Sequence, residues 1–214
     1  NKALTGAFYI PKKIAWQGGT NLYDNNTGKN SWDDINTGMY SFNYGFGNVA
    51  RGQNSVSFGY KTFATNPYST SFGFKTISTG NASTSFGSLT VATGDNSIAM
   101  GRESEANGQA ATAMGYIAKA NNSYATAMGW FTTASGIAST AMGKVTTASG
   151  DNSVAMGYTT TASGGNSIAI GSNVSTANMN GSLILGDNSG FSSANDANNQ
   201  MMTRFTGGYK IYSD

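Results

Sequence analysis

Few side chains in this 214-residue sequence have the types and spacing that catalysis needs. Neighbouring carboxylates occur at Asp33 and Asp34 and at Glu103 and Glu105, and such pairs can serve as general acid and base. The chain has no His and no Cys, which excludes a Ser-His-Asp triad, a thiolate nucleophile and zinc sites built on those ligands. Adjacent acids in polar segments are usually solvated. We therefore expect no enzyme, no catalytic residue and no cofactor.

Two aspartates open similar turns of sequence Gly-Asp-Asn-Ser, at Asp95 and Asp151. Calcium takes about 6–8 oxygen ligands, and one carboxylate per turn supplies too few of them. The sequence therefore predicts that these aspartates cap turns, and it predicts no metal site.

A column of aromatic and cationic side chains offers the chemistry of binding. These residues come directly after repeated glycines, at Tyr116, Trp130, Lys144 and Tyr158, and Phe131 stands beside Trp130. We expect this position to lie in a turn and to face solvent, where the rings would stack on sugars or grip a protein. The alternative is that the rings pack against neighbouring subunits.

A repeat of 14 residues positions these side chains. Glycines recur at that interval from Gly45 to Gly171, and a further copy ends one residue late at Gly186. The extra residue is predicted near Ala177 to Asn180. A helix turns by about 100° per residue, so 14 residues do not complete a whole number of turns. Equivalent residues of successive repeats would therefore lie on different faces of a helix. The repeat therefore excludes a helix.

The side chains within each repeat alternate as they do in a strand. Ser153 and Ala155 fall on one face, whereas Val154 and Met156 fall on the other. A second short strand is expected around Thr159 to Ala162, followed by a turn at Ser163-Gly164 where Asn or Gly tolerates positive φ. Each repeat is thus one coil of a parallel β-solenoid, and the fold class is all-β.

Coils of this length enclose a thin interior, which the column of Ala and Ser can fill. The large apolar side chains that precede each glycine are then expected outside, as a stripe through which chains associate. The alternative is a monomer whose wider interior holds them. The predicted interface residues are Phe58, Phe72, Phe86, Met100, Met114, Met128, Met142, Met156 and Ile170.

Paired threonines at 132–133, 146–147 and 160–161 are typical of flat ice-binding solenoids. Glu105 and Lys119 interrupt the equivalent positions in other coils. The threonines are therefore attributed to β propensity.

The sequence Asn152-Ser153-Val154-Ala155-Met156-Gly157, followed by Ala162 and Gly164, resembles the head repeat of YadA-type trimeric autotransporter adhesins. The resemblance covers about Ser41 to Gly186. It implies a left-handed parallel β-roll of 14-residue coils, assembled as a homotrimer with its apolar strand toward the three-fold axis. Such heads sit at the tip of a surface fibre and bind host matrix or cell surfaces. Phe in the N-terminal copies implies a wider or differently packed axis there.

The segment from Met202 to Tyr212 is similar to segments just upstream of endosialidase-type intramolecular chaperone domains. Those domains promote trimerisation of phage tail fibres and related bacterial surface proteins and are then released by self-cleavage. The resemblance implies a mature product that ends near Asp214.

We therefore predict a cap or docking segment at 1–40, which contains Trp16 and Trp32, head repeats at 41–186 and a C-terminal cap or junction at 187–214. The predicted function is a non-catalytic, extracellular adhesive head on a bacterial surface, a homotrimer that binds a host or cell-surface protein or glycan. The alternative is a receptor-binding or structural segment of a phage tail fibre or related appendage, matured by a self-cleaving chaperone. The net charge of +2 does not indicate a nucleic-acid partner, and no stretch is apolar enough for a membrane span.

Overall fold

A computed structural model describes residues 5–20, 23–24, 29–30, 36–188 and 192–210. The carboxylate pair Asp33 and Asp34, together with Trp32, lies outside the described residues, as does the end of the chain from residue 211. The chain divides into two compact units, Asn1–Ile117 and Ala118–Asp214. Every element longer than a single turn in the described residues is a strand, which confirms the all-β prediction.

The first unit contains strands β1 to β15. Their bounds are β1 Thr5–Ile10, β2 Ala15–Thr20, β3 Tyr23–Asp24, β4 Lys29–Asn30, β5 Phe42–Phe46, β6 Val49–Ala50, β7 Val56–Tyr60, β8 Phe63–Ala64, β9 Thr70–Phe74, β10 Ile77–Ser78, β11 Thr84–Ser88, β12 Val91–Ala92, β13 Ile98–Arg102, β14 Glu105–Ala106 and β15 Thr112–Tyr116. The longer strands form a sheet in the order β1-β2-β5-β7-β9-β11-β13-β15, and the short ones a sheet in the order β6-β8-β10-β12-β14. Strands β3 and β4 form a separate antiparallel pair.

The second unit contains strands β16 to β27. Their bounds are β16 Lys119–Ala120, β17 Thr126–Trp130, β18 Thr133–Ala134, β19 Thr140–Lys144, β20 Thr147–Ala148, β21 Val154–Tyr158, β22 Thr161–Ala162, β23 Ile168–Ser172, β24 Val174–Ser175, β25 Leu183–Gly186, β26 Ser193–Ala194 and β27 Met201–Arg204. Again the longer strands form one parallel sheet, β17-β19-β21-β23-β25-β27, and the short strands another, β16-β18-β20-β22-β24-β26.

Between β5 and β24, each coil of either unit consists of one five-residue strand and one two-residue strand, and equivalent residues of successive coils are paired. Gly143 lies beside Gly157, and Met142 lies beside Met156. The register shift equals the repeat length, so every column seen in the sequence becomes a row of stacked side chains. The prediction of a parallel solenoid with two short strands per coil is confirmed.

The interior of most coils is made of small side chains, and the larger Val174 and Ile184 are buried only near the C-terminal end of the second unit. In the coil that contains β21 and β22, Ser153, Ala155, Thr160 and Ala162 are fully buried. Their neighbours Val154 and Met156 lie on the outside and are only partly buried. Alternation along the strand therefore sorts the residues by size, as expected from the sequence.

The glycines seven residues after each repeated glycine have a different role from the positive φ predicted at the turn. Gly164 does not adopt positive φ, whereas Thr159 and Asn166 do, at 50° and 53°. The glycines seven residues after the repeated one serve close stacking instead, because a Cβ at Gly150 would lie 2.0 Å from the carbonyl oxygen of Gly164. The expectation of positive φ at Gly164 is therefore wrong.

The roll begins earlier than residue 41. Strand β2 pairs in parallel with β5, which places Gly19 beside Gly45, and Thr37 forms a parallel bridge to Ala50. Strand β2 and Thr37 thus supply a coil of the first unit whose two parts are separated in sequence. Strand β1 then pairs antiparallel with β2 at the edge of the sheet.

The roll also continues after Gly186. Strand β27 pairs with β25, and β26 pairs with β24, so β26 and β27 contribute one more coil to the second unit. Arg204 stands there in the row of the repeated glycines. The extra residue lies in the preceding turn, where Ala177 and Asn178 both adopt positive φ, and this confirms its predicted place. No described residues form a helix long and apolar enough to cross a membrane.

Candidate association and binding surfaces

The large side chains before the repeated glycines form an apolar column on the outside of each unit. In the first unit the column comprises Phe58, Phe72, Phe86, Met100 and Met114, and in the second unit it comprises Met128, Met142, Met156 and Ile170. Phe86 is 46% exposed and Ile170 39% exposed. The expectation of a wider interior that holds these side chains is therefore wrong, because mainly small residues fill the interior, while association through the column stays a prediction.

The phenylalanines of this column stack on one another. The ring centroids of Phe58 and Phe72 are 4.8 Å apart and those of Phe72 and Phe86 are 5.0 Å apart, with nearly parallel planes. Tyr44 extends the stack by one coil, with its ring centroid 5.5 Å from that of Phe58. The register of the strands imposes this stacking, since each ring stands on the same position of its coil.

Four of the five predicted ligand-binding residues belong to the second unit, and the aromatic rings of two of them lie near the ammonium group of a third. The Nζ atom of Lys144 lies 4.6 Å from the ring centroid of Trp130 and 5.4 Å from that of Tyr158. Phe131 packs edge-on against Trp130 with centroids 4.7 Å apart. We call Trp130, Phe131, Lys144 and Tyr158 the Trp130 cluster. Trp130 and Tyr158 are 41% and 46% exposed.

Tyr116, the fifth predicted residue, belongs to the first unit. Its ring lies under the guanidinium of Arg102, with the Cζ atom 5.3 Å from the ring centroid. Arg102 also donates to Glu103, with 3.0 Å between Nε and Oε1. The expectation that the residue after the glycine lies in a turn is wrong. That residue ends the five-residue strand, as Trp130 does, and the turn starts one residue later, at Phe131 with its positive φ.

A second group of stacked rings, which is not among the predicted binding residues, lies at the same position of the repeat. Phe46, Tyr60 and Phe74, the last residues of β5, β7 and β9, form an aromatic ladder with centroids 5.0 and 5.2 Å apart. Lys61 and Lys75 accompany it. The signal was present in the sequence, because these rings follow repeated glycines just as Trp130 does.

The aspartates of the Gly-Asp-Asn-Ser turns link one coil to the previous one. Asp151 accepts a hydrogen bond from the backbone N–H of Ile137 at 2.8 Å, and Asp95 accepts one from Asn81 at the same distance. This confirms their capping role. Within the described residues, no three acidic side chains come together as a metal site would require.

The threonine pairs divide between the two sides of the strand. Thr132, Thr146 and Thr160 are fully buried inside the roll. Only the second threonine of each pair, as in Thr147, lies on the outer surface. A flat ice-binding face made of both columns is therefore excluded.

Comparison with known families gives one match. The family described as YadA head domain repeat (2 copies) matches at residues 50–76, 78–104, 106–132, 123–146, 134–158 and 148–173, which together cover more than half of the chain. No curated protein matches the chain.

Proposed function

We propose, because the chain belongs to the YadA head domain repeat family, that it works as the trimeric head of an extracellular adhesive fibre on a bacterial surface. Membership supports an adhesin-like head with a structural rather than an enzymatic role. The homotrimer, the surface location and the host or cell-surface ligand are our proposals for this chain. The apolar column is the observation that carries them.

The case for association starts from the composition of the interior. The coils from β5 to β23 bury mainly Ala, Ser and Thr and leave the Tyr, Phe, Met or Ile before each repeated glycine outside, so a single chain keeps these large side chains partly in water. Completing the burial of one such half-exposed side chain contributes about 1 kcal/mol. Repetition over successive coils makes association through this column strongly favourable. A three-fold arrangement lets three columns share one core.

The oligomeric state tests this proposal directly. We expect light scattering to give three times the 22.1 kDa of one chain. The double variant Met142→Lys/Met156→Lys places three ammonium groups per layer near the axis, where they repel each other without partners, and should give a monomeric mass. The matched control is Ile137→Lys, which adds a charge at an exposed apolar residue in a turn of the same unit and should leave the trimer intact. A monomeric wild-type protein would refute the proposal.

The Trp130 cluster is the proposed adhesive contact. Its exposed rings suit stacking on sugars or packing against protein, and Lys144 holds a positive charge between Trp130 and Tyr158. A lysine without a carboxylate partner is disfavoured inside an apolar interface, which favours a solvent-facing position for the cluster. Three copies in a trimer would add avidity to a weak single site.

Cell attachment measured with Trp130→Ala tests the cluster. We expect attachment to fall while the oligomeric mass stays unchanged. Tyr124→Ala serves as the control, because Tyr124 is a highly exposed aromatic residue of the same unit outside the cluster. Undiminished attachment, or loss of the trimer itself, would show that Trp130 is not an adhesive residue.

The tail-fibre alternative stays a prediction that rests on the segment from Met202 to Tyr212. The gene sequence that encodes the region after Asp214 separates the two: a membrane anchor supports the adhesin, and a self-cleaving chaperone domain supports the fibre.

A further inference from the structure

A column of corner residues in the second unit follows the repeated glycines by two positions. It comprises Phe131, Val145, Thr159 and Asn173, and we call it the corner column. Each of these residues has a positive φ, between 50° and 56°. In this conformation the N–H group of Val145 donates to the carbonyl oxygen of Trp130 at 2.8 Å, which links one coil to the previous one. The backbone of the roll therefore uses a left-handed residue at each of these corners.

Two members of the corner column carry side chains that are costly in this conformation. Asn adopts positive φ readily, as Asn173 does, whereas a β-branched or bulky residue rarely does. Val145 is 42% exposed and Phe131 is 41% exposed, so burial inside the roll offsets little of this cost. Strained residues whose side chains the fold does not need are typical of functional surfaces. These two apolar side chains therefore indicate a contact with something outside the chain.

Lys144 places one positive charge beside these apolar side chains. It precedes Val145 in the chain, and its Nζ atom lies 4.6 Å from the Trp130 ring centroid. The one acidic residue between positions 118 and 186 is Asp151, whose carboxylate is already bonded to a backbone N–H group of another turn. Within the described part of the chain, Lys144 forms no ion pair. The surface is therefore apolar with an uncompensated ammonium group, which a carboxylate complements.

The arrangement of these side chains favours a protein partner over a glycan. The Trp130 ring already contacts the Phe131 ring, with centroids 4.7 Å apart, and the ammonium group of Lys144, which leaves less of the ring open for stacking on a sugar. The Val145 side chain offers only carbon atoms, so sugar hydroxyl groups placed against it would lose their hydrogen bonds to water. Apolar side chains of a protein have no such bonds to lose. The corner column therefore suits apolar residues that stand next to an acidic one.

We propose that Phe131 and Val145, together with Trp130 and Lys144, bind an acidic protein segment in which a carboxylate is flanked by apolar side chains. The apolar side chains pack on Phe131 and Val145, and the carboxylate lies near the Lys144 ammonium group. The proposal rests on the proposed function of the Trp130 cluster as an adhesive contact. It adds Val145 to that site and specifies the class of partner.

Selection from a phage-displayed library of random peptides on the immobilised full chain tests the proposal. We expect the selected peptides to contain Asp or Glu next to apolar residues. Synthetic versions of these peptides should bind more weakly as salt is raised, and replacing their Asp and Glu by Asn and Gln should remove most of the binding. A heparin-derived oligosaccharide and neutral dextran are measured beside them as glycan probes.

Variants of Lys144 and Val145 separate the parts of the site. Lys144→Gln should weaken peptide binding by about threefold or more, whereas Lys144→Arg should keep most of it. Val145→Asn removes the apolar contact and should weaken binding by about fivefold. Because Asn suits positive φ, Val145→Asn should melt no lower than the wild type, which a side chain kept for stability would not show. The matched controls are Ile137→Asn and Lys210→Gln, at exposed residues of the same unit outside the site, and each should change the affinity by less than about twofold.

Several results would overturn the proposal. Among them are selection of no specific peptide or of peptides without acidic residues, unchanged affinity in Val145→Asn, and equal weakening by the two controls. A lower melting temperature of Val145→Asn would mean that Val145 serves the fold, and would also overturn it. So would binding of an oligosaccharide that Trp130→Ala abolishes, without binding of any peptide, because the partner would then be a glycan. The Trp130→Ala attachment test succeeds in that last case, so this proposal and the proposed adhesive function can fail separately.

Discussion

Replacing Gly143 with alanine tests how the coils stack. Gly143 has φ of +119°, which side-chain-bearing residues rarely adopt, and a Cβ there would lie 2.1 Å from the carbonyl oxygen of Gly157. That oxygen belongs to the next strand of the sheet, so the clash is with backbone and can be relieved only by moving a coil. The backbone strain contributes about 1–3 kcal/mol and the steric overlap a further 1–3 kcal/mol or so.

Gly143→Ala should therefore lower the free energy of unfolding by about 2–6 kcal/mol. For a chain of this length the melting temperature should fall by roughly 4–24 °C, measured by far-ultraviolet circular dichroism. The matched control is Gly165→Ala, because Gly165 has no positive φ and a Cβ there would make ordinary contacts, with the Asn180 side chain at 3.4 Å and the Asp151 carbonyl oxygen at 3.9 Å. The control should melt within about 2 °C of the wild type. Equal melting of the two variants would refute this account of the glycine row.

Two further predictions concern hydrogen bonds between and within coils. The buried hydroxyl of Thr146 has no hydrogen-bond partner, whereas that of Thr160 donates to the carbonyl of Gly171 at 2.9 Å. Urea denaturation should show Thr146→Val to be neutral or stabilising by about 1 kcal/mol and Thr160→Val to be destabilising by about 0.5–1.5 kcal/mol, and effects of the same sign would contradict this. In the same assay Asp151→Ala, which removes the acceptor of the Ile137 N–H, should destabilise by about 0.5–1.5 kcal/mol. Asp151→Asn, which keeps an oxygen acceptor, should lose less, and identical losses would argue against the cap.

The repeat made most of the fold predictable. The period placed Ser153 and Ala155 on one face and Val154 and Met156 on the other, and the structure has them inside and outside the roll. A column in a parallel solenoid needs only a constant interval, which is visible in the sequence. The coils at the ends were not predicted, because they do not follow this constant interval. Gly19 and Gly45 are paired in the sheet but are not one repeat apart, because an inserted segment separates them.

The candidate binding surfaces were only partly predictable. The position after the glycine was identified from the sequence, and the predicted binding residues there include Trp130 and Tyr158. They do not include Phe46 and Tyr60, which occupy the same position in other coils. Choosing among equivalent positions requires knowing which rings face one another and which carry a lysine. Those contacts depend on the directions of the side chains at the strand ends, which do not follow from the amino-acid sequence alone.

The sequence by itself determined the period, the all-β class and the sorting of small from large side chains, because stacked coils require only local alternation and a constant repeat. Only the tertiary structure shows why the glycines are needed and which strands form the first and the last coil. It also decided which aromatic side chains form exposed groups with lysines. The physical reason is that the carbonyl oxygen about 2 Å from a missing Cβ belongs to a neighbouring coil, as does Lys144, whose Nζ atom lies 4.6 Å from the Trp130 ring centroid, and the positions of neighbouring coils exist only once the chain has folded.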